Sequence, residues 1–340
     1  MRKDQAVEPY SPLLQIRNLI VEFSKGRGRK NVIRALSGVS LDLYESEVFS
    51  VVGESGSGKT TLARCIARLE TPTSGQIRYN GTDIAKFGGK KLRQYRKDVQ
   101  IVFQDPFESF NPRQSVLSSM SVPLRFLDKS INSGSILEKA SRLLTEVGLD
   151  PLEVLYKLPH QLSGGEKQRI NIARALAPSP KILIADEPIT MIDASQKLEI
   201  LSLLAGLKES RKLTILLVTH DLAAAKIMAD RVGVMYLGKF VEMGPCDSVL
   251  ALPHHPYTEL ILDSTPDMLA PPKLADSDDD ISLSHLEVGD ATTGGSCCSF
   301  RSRCKYATRR CAEVEPVLEE KTQLHFAACH NYLSKQYGEN

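Results

Sequence analysis

The tightest constraint on this chain is the octet Gly53-Glu54-Ser55-Gly56-Ser57-Gly58-Lys59-Thr60, set between the apolar run Val48-Val52 and a helical pattern that opens at Thr61. Glycines let such a loop turn its backbone N–H groups inward around phosphates, and the helix beyond it adds its positive end. Lys59 is placed to reach the β- and γ-phosphates and Thr60 to ligate Mg²⁺. The strand, loop and helix come in the order the motif requires.

The rest of the chain alternates in the same way from about residue 13 to 262, the layout of an α/β sheet covered by helices. Strands are expected at Leu14-Phe23, Val48-Val52, Val99-Phe103, Ile182-Ala185, Thr214-Thr219, Val232-Tyr236 and Lys239-Met243, and helices at about 59–69, 135–148, 165–177, 196–209 and 221–229. From 263 to 296 the composition changes to Pro271-Pro272, an acidic run at Asp276 and Asp278-Asp280, and Gly294-Gly295, which reads as a solvated linker. A cysteine-rich segment, 297–340, comes next and is too short to fold on an apolar core of its own. The basic stretch Gly26-Arg27-Gly28-Arg29-Lys30 reads as a solvated loop.

With 43 Lys and Arg against 41 Asp and Glu, the net charge of +2 gives no global field to hold nucleic acid or an anionic membrane. No run approaches the roughly 18 to 20 apolar residues that span a bilayer, and the polar start Met1-Arg2-Lys3-Asp4-Gln5 carries no secretory signal, so a cytoplasmic location is expected. Five of the seven cysteines crowd into Cys297, Cys298, Cys304, Cys311 and Cys329, which in a cytoplasmic chain suggests metal ligation before disulfides.

Asp186-Glu187 ends the apolar run Lys181-Ile182-Leu183-Ile184-Ala185, where a first acid can reach the Mg²⁺ shell and a second can act as general base toward water. Leu162-Ser163-Gly164-Gly165-Glu166-Lys167-Gln168-Arg169 precedes a helix; Ser163 suits an N-cap, and the two glycines also suit a second phosphate site. Together these segments resemble the ATP-binding subunit of an ABC transporter. The resemblance implies a P-loop nucleotide-binding domain with a RecA-like core, an antiparallel β subdomain and a helical subdomain at about 105–165, the last receiving the coupling helices of a permease.

It also implies roles. Gly53, Ser55, Gly56, Ser57, Gly58, Lys59, Thr60 and Thr61 would hold ATP, with Thr60, Gln104 and Asp186 about the Mg²⁺. Ser163 and Gly165 would bind the γ-phosphate of the nucleotide on the opposite subunit. Gln104 matches the Q-loop, Asp193 the D-loop and His220, in Val218-Thr219-His220-Asp221, the switch histidine. Phe23 falls where the family stacks an aromatic on adenine, and Glu187 matches the catalytic base, assisted by Lys59, Gln104 and His220. Two departures stand out: Glu166 replaces the more usual Gln, and Thr190-Met191-Ile192-Asp193 replaces Ser-Ala-Leu-Asp.

Gln104-Asp105-Pro106-Phe107-Glu108-Ser109-Phe110-Asn111-Pro112-Arg113 and His255-Pro256-Tyr257-Thr258-Glu259-Leu260 resemble the oligopeptide/dipeptide branch of ABC importers; the second also reads simply as a helix start with Pro in its first turn. In this branch a box like Cys298-x5-Cys304-x6-Cys311-x17-Cys329 implies a [4Fe–4S] cluster, with a Cys₄ zinc ion, free thiols or a disulfide as alternatives. Cys297 would be spare. The distance of the box in sequence from Lys59 and Glu187 suggests a structural or redox-sensing role.

The function expected is ATP hydrolysis that drives uptake of oligopeptides, dipeptides or a related solute. The expected partners are membrane permease subunits, a second related ATP-binding subunit forming a heterodimer and, indirectly, an external solute-binding protein; the place is the cytoplasmic face of the membrane. A non-transport ABC ATPase acting on nucleic acid or ribosomes shares the motifs, but generally carries long coiled coils or two nucleotide domains. A regulatory chain with a dead site would lack Glu187 or His220.

Overall fold

The computed structural model describes residues 11–24, 32–105, 109–190, 192–264 and 297–331. The basic stretch Gly26–Lys30, residues 106–108 of the loop after Gln104, Met191, the acidic run and nearly all of the expected linker, and the chain beyond 331 lie outside them.

β1 (Leu14–Ser24) pairs antiparallel with β2 (Val32–Leu43). Side chains alternate faces along a strand, so Leu14 and Ile16 turn inward; Asn18, at φ 48°, sits at a register shift that moves the alternation by one and brings Leu19 and Val21 inward as well. β3 (Val48–Val52) leaves this hairpin for a second sheet and leads through the glycine-rich loop into α1 (Lys59–Ile66). The chain then returns through β4 (Ser74–Tyr79) and β5 (Thr82–Asp83), which complete a four-stranded antiparallel sheet in the order β2-β1-β4-β5. α2 (Gly89–Asp98) feeds β6 (Val99–Val102).

A helical region comes next: α3 (Val116–Leu127), α4 (Ser133–Glu146), α5 (Pro151–Val154) and α6 (Gly164–Leu176). Each starts on a side chain that satisfies an otherwise orphaned N–H: Ser115 accepts from Ser118 N–H, Asn132 from Ser135, Asp150 from Leu152 and Ser163 from Glu166. β7 (Ile182–Asp186), α7 (Ala194–Arg211), β8 (Thr214–Thr219), α8 (Leu222–Met228), β9 (Arg231–Tyr236), β10 (Lys239–Pro245) and α9 (Cys246–Ala251) complete the main body.

The large sheet has eight strands, and its β9-β3-β8-β7-β6 part is parallel. Both faces are covered. Ile182, Ile184, Leu216 and Val218 bury on the side of α1 and the antiparallel sheet, while Leu183, Ala185, Ile215 and Leu217 bury among α6, α7 and the helical region. Strands buried on two faces become continuous apolar runs, and these are the strands that are legible in the sequence.

The cysteine-rich segment is built into this body. After α10 (Pro256–Ser264) the described chain resumes at Cys297, forms α11 (Arg309–Glu313) and adds β11 (Glu319–Thr322) and β12 (His325–Ala327) to the sheet, with β12 beside β10. Cys298, Phe300 and Cys311 share one buried cluster with Val52, Tyr236, Val249 and Tyr257. The segment borrows a core, as its shortness requires. Fully buried Glu242 on β10 ties the pieces together: Oε1 accepts from His254 N–H at 2.6 Å and meets His325 Nε2 at 2.7 Å, and Oε2 accepts from His255 N–H at 3.0 Å.

His255 Nδ1 accepts from Tyr257 N–H at 3.1 Å, capping the first turn of α10, and burial pushes its pKa down to about 3. Unfolded histidine titrates near 6.5, so between about pH 6.5 and 3 the unfolded chain binds the extra proton; this contribution to stability is complete above 6.5 and falls as pH drops toward 3. Asn can cap in the same way without a proton. His255→Asn should therefore flatten the acid side of a pH–stability curve by up to about 1.4 kcal/mol per pH unit, measured by chemical denaturation between pH 6.5 and 4. An unchanged slope would remove His255 as the source.

Candidate nucleotide site

The glycine-rich loop joins β3 to α1 with its backbone pressed against β9: a Cβ at Gly53 would stand 2.2 Å from Met235 O, and Gly58 has φ 104°, which a side chain would strain. Lys59 is buried, and its Nζ donates to Gly53 O at 2.7 Å and Glu54 O at 2.9 Å. Burial lowers its pKa, against the opposing pull of Glu187, Asp186 and Glu54. The loop thus holds its own ammonium where phosphate oxygens would compete for it.

Thr60 Oγ1 donates to Asp186 Oδ1 at 3.2 Å. Asp186 is 2% exposed, and burial pushes its carboxyl up, Thr60 opposing and the Glu187 charge adding to the rise. A divalent cation would relieve that cost, so Thr60 and Asp186 fit a Mg²⁺ site by chemistry and proximity.

Glu187 takes φ 47°, the left-handed region that a side chain of this size rarely enters, fixed by its N–H on Val218 O at 2.8 Å. Its Oε2 gathers three groups from separate parts of the chain. Gln104 Nε2, after β6, donates at 2.9 Å; Thr190 Oγ1 donates at 2.9 Å; His220 Nδ1, after β8, lies 3.5 Å away. Thr190 carries no role in the sequence reading; a hydroxyl three residues beyond Glu187 is the available signal, and it explains how Thr can stand in the usual Ser position.

Ser163 and Gly165 are at the start of α6. Ser163 Oγ accepts from Glu166 N–H at 3.1 Å while Glu166 Oε2 accepts from Ser163 N–H at 2.7 Å, a reciprocal cap of α6 in which Glu serves as Gln would. Gly165 packs on Gln196 of α7, whose Oε1 lies 2.4 Å from where a Cβ would sit. Asp193 is exposed before α7, and Phe23 is exposed on β1 opposite Ile33. A cleft of about 1990 Å³, open space included, runs from Thr60, Asp186 and Gln104 to Val122 and Phe126 on α3.

In the cysteine-rich segment Cys298, Cys304, Cys311 and Cys329 line one recess with Phe300 and Tyr306. Cys297 is outside it, its sulfur against the Arg301 guanidinium. Burial pushes the thiols of Cys298 and Cys304 up and that of Cys329 to about 11. Among the described residues, only Glu242, His254 and His325 bring three ligand atoms within 4.8 Å of one another. Their imidazoles stack at 4.0 Å and 11°, so a metal in the plane of one ring would lie out of the plane of the other. That trio is a hydrogen-bonded joint.

Sequence distance misleads on one point. Arg303, next to Cys304, forms an ion pair with Glu54 inside the glycine-rich loop, and Tyr257 Oη accepts from Glu54 N–H at 2.9 Å. The cysteine-rich segment touches the nucleotide site directly.

Residues 36–190 match the ABC transporter family, and residues 241–311 match the family described as oligopeptide/dipeptide transporter, C-terminal region. The chain is 37% identical over 325 residues to a putative oligopeptide transport ATP-binding protein, YkfD, of Bacillus subtilis, covering 96% of this chain and 97% of that protein. It is 37% identical over 329 residues to the oligopeptide transport ATP-binding protein OppF of Salmonella typhimurium, covering 95% and 97%. Among solved structures, an ATP-binding cassette dimer in a post-hydrolysis state with ADP and Pi superposes with a TM-score of 0.62 at 29% identity, over 68% of this chain and 98% of that one. A Clostridium perfringens cassette from the cbiONQ ABC transporter complex gives 0.61 at 28%, over 71% and 91%. With the loop, the acid pair and His220 meeting at one sheet edge, and with likeness along nearly its whole length, this chain belongs to the ATP-binding subunits of ABC transporters, in the oligopeptide/dipeptide branch.

Proposed function

We propose that this ATPase powers peptide uptake through a membrane permease, that Glu187 is its general base, and that its hydrolytic unit is completed by a second ATP-binding subunit. The observation that carries this reading is the Glu187 carboxylate, held by Gln104 and Thr190 and approached by His220, one residue from an Asp186 already joined to Thr60. Lys59 and the loop amides hold the phosphates, and Phe23 offers an exposed ring for the base. Thr60, Asp186 and Gln104 would hold Mg²⁺, whose charge neutralises phosphate oxygens. Glu187 accepts a proton from water aligned with the γ-phosphate, and His220 orients that end of the site.

Ser163 and Gly165 at the start of α6, with exposed Asp193 before α7, are our candidates for service to a facing subunit, which we take to be a related but distinct chain. Gln104 lies in the cleft that opens onto exposed Val122 and Phe126, a path by which occupancy of the site reaches a docked permease. Among the described residues, no helix is long and apolar enough to cross a membrane, in keeping with a peripheral subunit on the cytoplasmic face. Solute choice rests with the permease and an external binding protein, and the relatives' names favour oligopeptides.

The four cysteines that line one recess offer the thiolate donors an iron–sulfur cluster takes, and the resemblance of the box to this branch favours that group. A zinc ion on four cysteines draws on the same donor set, so the metal content of the protein decides between the two. A larger thiolate-bound [4Fe–4S] group matches the donor set, and bound there it would cross-link a segment with little core of its own.

Glu187→Gln in the assembled transporter should retain ATP binding and lose hydrolysis by about 10² or more; near-normal turnover would remove Glu187 as base. Ser163→Arg should abolish turnover while ATP affinity of the isolated chain stays within about twofold; affinity that fell with turnover would place Ser163 in its own chain's site. Protein purified without air should be brown, absorbing broadly near about 400 nm with about four irons per chain, and Cys304→Ser should bleach it where Cys297→Ser does not. Stoichiometric zinc without iron would overturn the cluster.

A further inference from the structure

We propose that Arg303, carried by the cysteine-rich segment, is a positioning residue for Glu54 of the phosphate loop: it neutralises that carboxylate and holds it in place. The two arms of the guanidinium meet the two oxygens of the carboxylate, Nη1 to Oε2 at 2.8 Å and Nη2 to Oε1 at 2.7 Å, across 249 residues of sequence. Paired parallel bonds of this kind set orientation as well as charge.

The rest of Glu54 is engaged as well. Its N–H donates to Tyr257 Oη at 2.9 Å, and its carbonyl accepts from Lys59 Nζ at 2.9 Å and Ser57 N–H at 3.2 Å. The residue is therefore a junction between the extension, α10 and the lysine that must reach the phosphates. Arg303 is itself held: its guanidinium lies 5.8 Å from the Tyr236 ring centroid, 6.0 Å from Tyr257 and 5.7 Å from Phe300, and its backbone N–H donates to Phe300 O at 3.1 Å.

Charge gives the contact its purpose. A loop that must bind a polyanion carries a carboxylate at its second position, and the described ion pair to that carboxylate comes from Arg303. An exposed ion pair adds little to global stability; Glu54 is 44% exposed, so the effect belongs to the loop and its ligand. Without Arg303, the Glu54 carboxylate stands unneutralised in the loop and repels phosphate.

The test uses the full chain and the assembled transporter. Arg303→Gln should raise the Kd for ATP, and KM with it, about three- to tenfold, with kcat within about twofold, and the defect should shrink at high ionic strength. Adding Glu54→Gln to Arg303→Gln should recover most of the lost affinity, because the charge that needed neutralising is gone. Arg303→Lys, which keeps charge but not the fork, should fall between and guards against a variant that fails to fold. Unchanged affinity in Arg303→Gln, a fall in kcat alone, or a loss that persists in the double variant would each overturn the proposal. Because it rests on Gly53–Thr60 holding the phosphates, Lys59→Ala is run beside it: if that change leaves affinity intact, the loop assignment has failed, a result separate from any failure of Arg303.

Discussion

Neighbouring strands of a parallel sheet finish at the same edge, and the nucleotide site is a consequence of that geometry. The ladders Val52↔Thr219, Asp186↔Val218 and Val102↔Ala185 bring the ends of β3, β8, β7 and β6 into line. The groups just past the strand ends therefore meet: the phosphate loop after β3, His220 after β8, Glu187 after β7 and Gln104 after β6. No side chain has to travel far, and the strained turn at Glu187 is held by a bond to β8 itself. Slipping one ladder by a residue would turn every buried side chain of that strand to the wrong face, so the cores on both sides of the sheet also guard the chemistry at its edge.

The start of α6 is organised by its own side chains. Within a single chain Ser163 is an ordinary helix cap, its hydroxyl occupied by Glu166 N–H. A cap of this kind is worth about 1 kcal/mol, and a helix N-terminus already favours an anion. A phosphate that docked there, as proposed, would meet a terminus already organised by its cap, with Gly165 kept small by Gln196 of α7. In the assembly proposed above, a facing nucleotide would draw on the same few atoms that stabilise the lone subunit.

How far the sequence could be read depends on how each element is stabilised. Val48–Val52, Ile182–Asp186 and Thr214–Thr219 are buried on both faces and so carry short continuous apolar runs. β4 and β5 face solvent along much of their length, and β2 is exposed at its start and broken by Gly38 and two serines, which hides its alternation. β11 reads Glu-Glu-Lys-Thr and is a strand only because β12 is beside it. α2 is mostly charged, with Tyr95 as its buried anchor. The phosphate loop, Asp186, Glu187 and His220 were legible because each sits at or just past the end of a strand. The bond from Arg303 to Glu54 was not, since no local pattern marks two residues that only the closing of the sheet brings together.

That closing has a further consequence at the rim. β10 contributes Phe240, Val241 and Met243 to the interior, yet its outer backbone is covered only because the chain returns after α10 to lay β12 and then β11 along it. The strand left outermost carries Glu319, Glu320 and Lys321, charges that discourage pairing with another chain. A protein cut after Ser264 would instead present β10 as a bare apolar edge, an open template for strands of other molecules. The cysteine-rich segment is thus also what keeps this sheet from continuing into its neighbours.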